Sequence, residues 1–154
     1  PRVVEKIRSW PGPIYAPQDT HFSDYLETQE GRVLPVPHCI QGTPGWHIAP
    51  AVRAALSEGA GRNESTLYLT KSTFGSKDLA EILAGRNREE PIEEIELAGL
   101  CTDICVISNA LVIKAFLPEV PLAVDAACCA GVNPESHRNA LDAMRMCQIG
   151  VVNG

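Results

Sequence analysis

The sequence has no cluster of lysine and arginine residues, and its 154 residues carry a formal net charge of −6. Nucleic-acid backbones and anionic membrane surfaces recruit proteins through such clusters, so neither is expected as the main partner. The sequence also lacks an apolar run of about 18 residues, and no charged segment followed by an apolar one stands at its N-terminus, so we predict neither a membrane span nor a signal peptide. Small molecules or other proteins remain as partners, and a cytoplasmic location is expected.

A Cys-x-x-Cys pair is also missing, which leaves a thiolate zinc knuckle and a thioredoxin-type redox motif without support. The six cysteines could form a disulfide framework, but 45% of the residues are apolar, enough for an ordinary core. Cys128 and Cys129 are adjacent, and Cys101 and Cys105 flank a predicted helix start, which is poor geometry for independent disulfides. We therefore expect six reduced thiols and a single domain over residues 1–154.

Apolar segments of two kinds alternate along the chain, a pattern typical of an α/β domain with a mainly parallel sheet flanked by helices. Predicted strands cover residues 14–16, 67–71, 92–99, 122–125 and 149–152. Predicted helices cover residues 3–10, 50–57, 76–83, 104–116 and 134–146, and Ser76 is the expected cap of the third. The polar stretch of residues 22–37 is predicted to be a loop.

Chemically active side chains stand at or just after the ends of several predicted strands. They are Asp19, His21, Lys71, Cys105 and Asp125. In open parallel sheets, ligands gather at the carboxyl ends of the strands. We therefore predict a functional site at these strand ends.

Cys105 follows a predicted strand and lies in the first turn of the next predicted helix. Backbone N–H groups and the positive end of the helix dipole favour a thiolate there, which makes a cysteine nucleophilic. A nearby Lys71 would favour the thiolate further, and the turn of residues 99–103 could supply N–H donors for an oxyanion, with Thr102 or Asp103 as helix cap. The alternative is an inert buried cysteine, with Lys71 a solvated charge or an ion-pair partner.

Asp19 and His21 alternate at a strand end and therefore point the same way, so that they could share one metal ion with His38. Two imidazoles and a carboxylate suit a first-row metal and leave coordination positions open for water or substrate. The alternative is that Asp19 caps a turn and that both histidines are ordinary polar loop residues.

Four motifs occur in an order that resembles one known family. They are Gln18–His21 (QDTH), Pro37–Gly45 (PHCIQGTPG), the strand-end Lys71 and Gly99–Val106 (GLCTDICV). With these residues the chain resembles the isochorismatase-like cysteine hydrolases, and especially their nicotinamidase branch. The resemblance extends over nearly the whole chain and implies a three-layer, Rossmann-like α/β fold.

The resemblance implies that Cys105 is a nucleophile attacking an amide carbonyl and that Lys71 is the cation of a catalytic triad. The backbone N–H groups of Cys101 and Cys105 would form the oxyanion hole, and a cis peptide is expected between Leu100 and Cys101. The implied activity is hydrolysis of a small amide, nicotinamide or a related carboxamide, with release of ammonia through a thioester.

The same resemblance places a divalent metal on Asp19, His21 and His38, with Glu30 or Glu27 as a candidate further ligand. Zinc is the expected ion, and iron or manganese would tolerate the same ligands. Relatives often form dimers or larger assemblies, so a homo-oligomer is expected.

Three departures from the family pattern keep alternatives open. Leu34–Pro37 stands where nicotinamidases set an aromatic residue, so Trp46 and Phe22 become the candidates for the substrate pocket. Pro17 removes a backbone donor just before the metal motif.

The family's third triad member, an aspartate on its first strand, has no counterpart, because this sequence begins with a predicted helix. Since the sequence starts at Pro1 without a methionine, we expect a preceding segment of about 25 residues, the length of a strand and a loop. The alternatives are another isochorismatase-like hydrolase of unknown substrate, and a non-catalytic member that acts as a binding or scaffold subunit.

Overall fold

The computed structural model describes residues 2–58 and 66–154. The chain forms two compact units, which we call the C-terminal unit (the chain up to Lys6 together with Phe74–Gly154) and the N-terminal unit (Ile7–Thr73). Helix α1 (Arg2–Ser9) contributes residues to both. The single domain expected from the sequence stays a prediction.

A two-stranded parallel sheet forms the frame of the N-terminal unit. Strands β1 (Tyr15–Asp19) and β2 (Leu67–Lys71) pair from Tyr15 opposite Leu67 to Asp19 opposite Lys71. Between them in the chain lie helices α2 (Gln29–Val33) and α3 (Pro50–Glu58) and the 3-10 turns Tyr25–Glu27 and Pro44–Trp46. The register sets Asp19 and Lys71 side by side at the carboxyl end of this sheet.

The C-terminal unit contains a three-stranded parallel sheet in the order β3 (Ile95–Leu100), β4 (Leu122–Ala130), β5 (Gly150–Val152). Helices α4 (Lys77–Glu89), α5 (Ile107–Phe116) and α6 (Pro134–Met146) alternate with these strands along the chain, and α5 contacts both other helices. The core contains the side chains of Ile113, Val124, Met144 and Ile149, each at most 1% exposed. Burying an apolar side chain of this size contributes about 2 kcal/mol, which holds the helices on the sheet.

The predicted α/β class, with parallel strands flanked by helices, is confirmed. The strand predicted at residues 67–71 and the helix predicted at residues 134–146 have those bounds in the structure. Ser76 caps α4 as predicted, because its hydroxyl accepts a hydrogen bond from the backbone N–H of Leu79. Within the described ranges, no helix has the length and apolar character that crossing a membrane requires.

The predicted loop of residues 22–37 is wrong in part, because it contains a 3-10 turn and α2. The ring of Tyr25 is 1% exposed, and the Thr28 hydroxyl accepts a hydrogen bond from Gly31 N at 3.0 Å, which caps α2. The polar composition of this stretch predicted a loop, and it gave no sign that the ring of Tyr25 is buried or that Thr28 caps a helix.

Several predicted element ends are also wrong. Helix α4 continues beyond the predicted end at Leu83 to Glu89, and β4 continues beyond Asp125 to Ala130. In β4 the carboxylate of Asp125 accepts a hydrogen bond from Ala127 N at 3.1 Å, and the pairing with β3 shifts register there before it resumes. Strand β1 includes Pro17. Among the described residues β1 pairs with β2 on one side, so it is an edge strand, where the missing backbone N–H of a proline is tolerated.

Candidate functional site

Four potential metal ligands meet in the N-terminal unit. We call Asp19, His21, Glu30 and His38 the metal-ligand group. Ligand atoms of Asp19, His21 and His38 all lie within 4.8 Å of one another. The Oδ2 atom of Asp19 is 3.3 Å from His21 Nε2 and 3.7 Å from His38 Nε2. The alternation of Asp19 and His21 at the strand end therefore does direct both side chains to one point.

The segment that carries His38 is fixed beside β1 by backbone hydrogen bonds. The backbone N–H of His21 donates to the Cys39 carbonyl at 2.9 Å, and the N–H of Gln41 donates to the His21 carbonyl at 2.8 Å. Cys39 has a φ of 48°, in the left-handed region that ordinary residues seldom adopt. This turn holds His38 against His21, and the two imidazole centroids are 4.9 Å apart.

Glu30 reaches the same point from α2. Its Oε1 atom is 3.6 Å from His21 Nε2 and 3.5 Å from His38 Nε2. Gly31 lets α2 approach this closely, because a Cβ atom there would lie 2.0 Å from the carbonyl oxygen of Tyr25. Glu27, the other candidate ligand, is exposed, and its backbone carbonyl accepts a hydrogen bond from Arg32 at 2.7 Å.

The hydrogen bonding of the two histidines is compatible with a bound cation. In the described part of the chain, His21 Nε2 is the buried side-chain nitrogen that has no hydrogen-bond partner. The Nδ1 atom of His38 lies 2.9 Å from the Val36 carbonyl, so Nδ1 is the donor of this contact, and Nε2 is the ring nitrogen that faces Asp19 and Glu30. Two imidazole nitrogens and two carboxylates thus converge on one point, and this ligand set suits zinc, iron or manganese.

Tyr25 packs against both histidine rings from behind. Its ring centroid is 4.8 Å from that of His21 and 5.1 Å from that of His38, and its hydroxyl donates to the Leu34 carbonyl at 2.9 Å. Burial, followed by the negative charges of Glu30 and Asp19, raises the pKa of Tyr25. The phenol therefore stays neutral and orients the two imidazoles through ring contacts.

Lys71 forms an ion pair with the metal-ligand group. Its Nζ atom donates to Asp19 Oδ1 at 2.8 Å and to the Thr73 carbonyl at 3.1 Å, and the residue is 7% exposed. The two oxygens of Asp19 thus divide their contacts, since Oδ1 faces the ammonium and Oδ2 faces the histidines. A solvated surface charge, one of the alternatives for Lys71, is wrong.

The two aromatic pocket candidates differ in how firmly they are held. The indole N–H of Trp46 donates to the Thr20 hydroxyl at 2.9 Å, and the Trp46 carbonyl accepts a hydrogen bond from the Gln18 side chain. Phe22 is 54% exposed. Trp46 is therefore fixed to the strand end that bears Asp19 and His21, whereas the ring of Phe22 faces solvent.

Cys105 lies in the C-terminal unit, in a single π-helical turn, Thr102–Val106, that connects β3 to α5. The peptide bond between Leu100 and Cys101 is cis, as the resemblance implied. The Cys101 carbonyl accepts hydrogen bonds from Ile104 N at 3.2 Å and Val106 N at 3.0 Å. We call residues 101–106 the Cys105 turn.

The expectation that Thr102 or Asp103 caps this helix is wrong. Both lie within the first turn, and the residue before it, Cys101, makes no side-chain capping hydrogen bond. The Thr102 hydroxyl instead lies 2.8 Å from His137 Nδ1, and the Asp103 carboxylate accepts from Val132 N at 3.1 Å. Their side chains point away from their own helix end, because Thr102 binds His137 within α6 and Asp103 binds Val132 just before it.

Three further cysteines of this unit are held as thiols. Burial, followed by the charges of Asp103 and Cys105, raises the pKa of Cys101. Burial also raises the pKa of Cys128, and it raises the pKa of Cys129 to about 11. These cysteines are therefore poor nucleophiles at neutral pH.

Asp125, the remaining strand-end residue, is 1% exposed and belongs to a buried ion-pair network. Lys6 Nζ lies 2.8 Å from Asp125 Oδ2 and also contacts Glu96, and Asn153 donates to Asp125 at 3.1 Å. Burial tends to raise the pKa of Asp125, but hydrogen bonds from Lys6 and Asn153 outweigh it and lower the pKa. Its observed contacts are those of a structural ion pair.

Sequence reasoning missed two residues that bind the Cys105 turn. Asn109 donates to the Cys105 carbonyl at 2.8 Å and to the Phe74 carbonyl at 3.1 Å, and its Oδ1 accepts from Ser76 N at 2.9 Å. Its spacing of four residues from Cys105 on a helix was a usable signal. His137 gave no such signal, because 35 residues separate it from Thr102.

Comparisons with known proteins connect this chain to one family. The model of the isochorismatase domain matches residues 1–153. A Bacillus subtilis (strain 168) protein, described as an uncharacterized isochorismatase family protein PncA, is 31% identical over 123 residues. That match covers 80% of this chain and 64% of the relative, so this chain spans less than two thirds of the relative's length.

Solved structures share the fold. The nicotinamidase/pyrazinamidase PncA from Bacillus subtilis matches with a TM-score of 0.79 at 25% identity, over 97% of this chain and 81% of that chain. The pyrazinamidase of Pyrococcus horikoshii, solved in complex with zinc, matches with a TM-score of 0.72 at 20% identity, over 99% of this chain and 86% of that one. The second likeness shows the fold alone.

Proposed function

The chain belongs to the isochorismatase family, and from this premise we propose that it hydrolyses a small carboxamide, nicotinamide or a close relative, through a thioester on Cys105. The observation that carries the proposal is the position of Cys105 in the helical turn directly after strand β3. Backbone N–H groups at a helix start favour a thiolate, the form of cysteine that attacks carbonyl carbon. Cys101 is a poor competitor, because its pKa is raised.

The proposed reaction has two halves. Cys105 Sγ forms a bond to the amide carbonyl carbon, and the thiol proton passes to a general base, which in the family pattern is an aspartate of the first strand. The backbone N–H groups of Cys101 and Cys105 stabilise the oxyanion, the base returns its proton to the amide nitrogen, and the C–N bond breaks to release ammonia. Water then attacks the thioester carbonyl, which gives the carboxylic acid and restores the thiol.

The metal-ligand group would hold the divalent metal through His21 Nε2, His38 Nε2 and the carboxylates of Asp19 and Glu30. Support comes from the unpartnered, buried Nε2 of His21 and from the proton on His38 Nδ1. When bound, the metal supplies a Lewis acid for a ring nitrogen of the substrate or for a water molecule. Zinc is the first ion to test, with iron and manganese next.

Lys71 is proposed as the cation of the triad, and Trp46 and Phe22 as walls of the substrate pocket. The burial of Lys71 and its ion pair with Asp19 support a side chain that is held in one position. The hydrogen bond from Trp46 to Thr20 supports Trp46 over Phe22, since a fixed indole binds a flat ring with less loss of entropy. A homo-oligomeric state and a cytoplasmic location stay predictions.

The test is ammonia release by the full-length protein from nicotinamide, pyrazinamide and benzamide, with and without a chelator. Benzamide lacks the ring nitrogen, so chelation should lower the rate with nicotinamide more than the rate with benzamide. The Cys105→Ala variant should release no ammonia from any of the three.

The matched control is Cys101→Ala, which removes a thiol of the same turn but leaves the backbone N–H in place. We expect it to keep most of the activity. Equal loss in both variants would contradict the assignment of Cys105 as the nucleophile. A full-length protein that releases no ammonia from a broad amide panel would favour the binding or scaffold alternative.

A further inference from the structure

The side chain of Thr102 ties the Cys105 turn to helix α6. Thr102 is 0% exposed and lies between Cys101 and Cys105, the two residues whose N–H groups are proposed to stabilise the oxyanion. Its hydroxyl is 2.8 Å from His137 Nδ1. A hydroxyl that is buried this deeply requires a hydrogen-bond partner, and His137 provides one across 35 residues of chain.

His137 sits on a rigid base. Asn133 and Ser136 form a capping box at the start of α6, and the backbone N–H of His137 donates to the Asn133 carbonyl at 3.0 Å. Gly131 packs so closely that a Cβ atom there would lie 2.9 Å from His137 Cβ. The imidazole therefore offers Thr102 a fixed partner.

The next residue of the turn reaches the same segment. Both carboxylate oxygens of Asp103 lie 3.1 Å from Val132 N. Burial tends to raise the pKa of Asp103, but hydrogen bonds from Ser136 and from backbone N–H groups, with the charge of His137, outweigh it and lower the pKa. Two consecutive turn residues thus bind one short stretch of chain, and the turn cannot rotate without breaking both contacts.

We propose that His137 is a positioning residue, which acts through Thr102 to hold the backbone N–H groups of the Cys105 turn in place. This proposal rests on the proposed role of Cys105 as nucleophile. His137 itself touches neither the substrate nor the reacting sulfur in this role. It fixes the geometry that both the thiolate and the oxyanion require.

The first readout is the rate at which iodoacetamide alkylates Cys105, followed by peptide mass spectrometry at fixed neutral pH in the full-length protein. His137→Ala should lower this rate about tenfold, since one hydrogen bond that fixes the thiolate environment is lost. If an amide substrate is found, kcat should fall by a similar factor while KM stays unchanged. His137→Asn, whose amide can still bond the Thr102 hydroxyl, should recover most of the alkylation rate.

A double-mutant cycle shows whether the effect passes through Thr102. Thr102→Val alone should match His137→Ala, and the double variant should be no slower than either single variant. Arg138→Ala, an exposed neighbour on α6, is the control and should alkylate at the wild-type rate.

A folded His137→Ala variant that alkylates Cys105 at the wild-type rate would overturn the proposal, and so would additive losses in the cycle. If His137→Ala does not fold, the alkylation rates of His137→Asn and Thr102→Val are compared instead. A His137→Asn rate equal to that of Arg138→Ala, with a slow Thr102→Val, supports the proposal. Equal slowing of alkylation in His137→Asn and Thr102→Val overturns it. A chain that shows the expected alkylation pattern but hydrolyses no amide would reject the proposed function and still support the role of His137.

Discussion

The Cys105 turn and the metal-ligand group differ in how fully the chain satisfies their polar atoms. In the Cys105 turn, the Thr102 hydroxyl, the Asp103 carboxylate and the Cys105 carbonyl all have protein partners. In the metal-ligand group, the buried Nε2 of His21 has no hydrogen-bond partner. The polar atoms of the turn are therefore satisfied by the protein itself, whereas the metal-ligand group leaves a ring nitrogen that the proposed metal ion would bind.

The same contrast appears in how each site is held. Hydrogen bonds from α5 and from the segment leading into α6 hold the turn, so its geometry depends on side chains distant in sequence. Backbone bonds around His21 and ring contacts with Tyr25 hold the metal-ligand group. Substitution of Cys105 should consequently leave metal binding unchanged, and substitution of His21 should leave the Cys105 turn intact.

The largest expected effect is the loss of the nucleophile. Cys105→Ala should lower kcat by about 10⁴-fold or more, because it removes the sulfur on which the proposed thioester forms. Its metal content, measured by mass spectrometry of the purified protein, should equal that of the wild type. Metal loss in this variant would contradict the independence of the two sites.

Removal of a metal ligand should lower metal binding and leave the reactivity of Cys105 unchanged. His21→Ala should weaken zinc binding by about 100-fold or more, because it removes a buried ring nitrogen that has no hydrogen-bond partner in the described part of the chain. Zinc at 100 times its dissociation constant should stabilise the wild type by about 2.7 kcal/mol, measured as a shift of the thermal unfolding midpoint, and should not stabilise the variant.

His47→Ala is the control for this experiment, since His47 is exposed and stands outside the metal-ligand group. Iodoacetamide should alkylate Cys105 in His21→Ala at the wild-type rate. Equal zinc stabilisation of His21→Ala and the wild type would show that the metal binds elsewhere.

The next effect concerns folding of the C-terminal unit. Asn109→Ala should lower the free energy of unfolding by about 3 kcal/mol, because it leaves Ser76 N and two carbonyl oxygens without their side-chain partner. Urea denaturation measures this loss, and Asn139→Ala, on the exposed surface of α6, should change little. A loss as small as that of the control would mean that Asn109 does not anchor the turn.

The smallest effect is a dependence of stability on pH. The pKa values of Asp103 and Asp125 are both lowered from the usual value of 3.8. A carboxyl whose pKa is lower in the folded state stabilises the fold above its unfolded pKa, and this stabilisation disappears as the pH falls through the folded value. Stability should therefore fall below about pH 4.

Urea denaturation between about pH 2 and pH 6 measures this slope. Asp125→Asn should flatten it at the cost of some stability at neutral pH, because Lys6 loses its charged partner. An unchanged slope in Asp125→Asn would exclude this carboxyl as a source of the acid sensitivity.

The sequence predicted features that depend on local periodicity. The strand ending at Lys71, the Ser76 cap and the bounds of the last helix all follow from apolar spacing and cap residues. The approach of Asp19 to His21 follows from the two-residue period of a strand.

Features that depend on packing between distant segments were not predictable. The bond between Thr102 and His137 joins segments whose sequences share no pattern. Tyr25 looked like a loop residue, because nothing local shows that two histidine rings will cover it. Thr102 and Asp103 were misassigned as helix caps since their true partners come from the chain before and within α6.

The thioester on Cys105 can be detected directly. The full-length protein is mixed with an amide that it hydrolyses, quenched in acid during turnover, digested, and analysed by peptide mass spectrometry. We expect the acyl group of that substrate on the peptide that contains Cys105, and no acyl group in Cys105→Ala. An acyl group on another cysteine, or undiminished ammonia release by Cys105→Ala, would contradict this expectation.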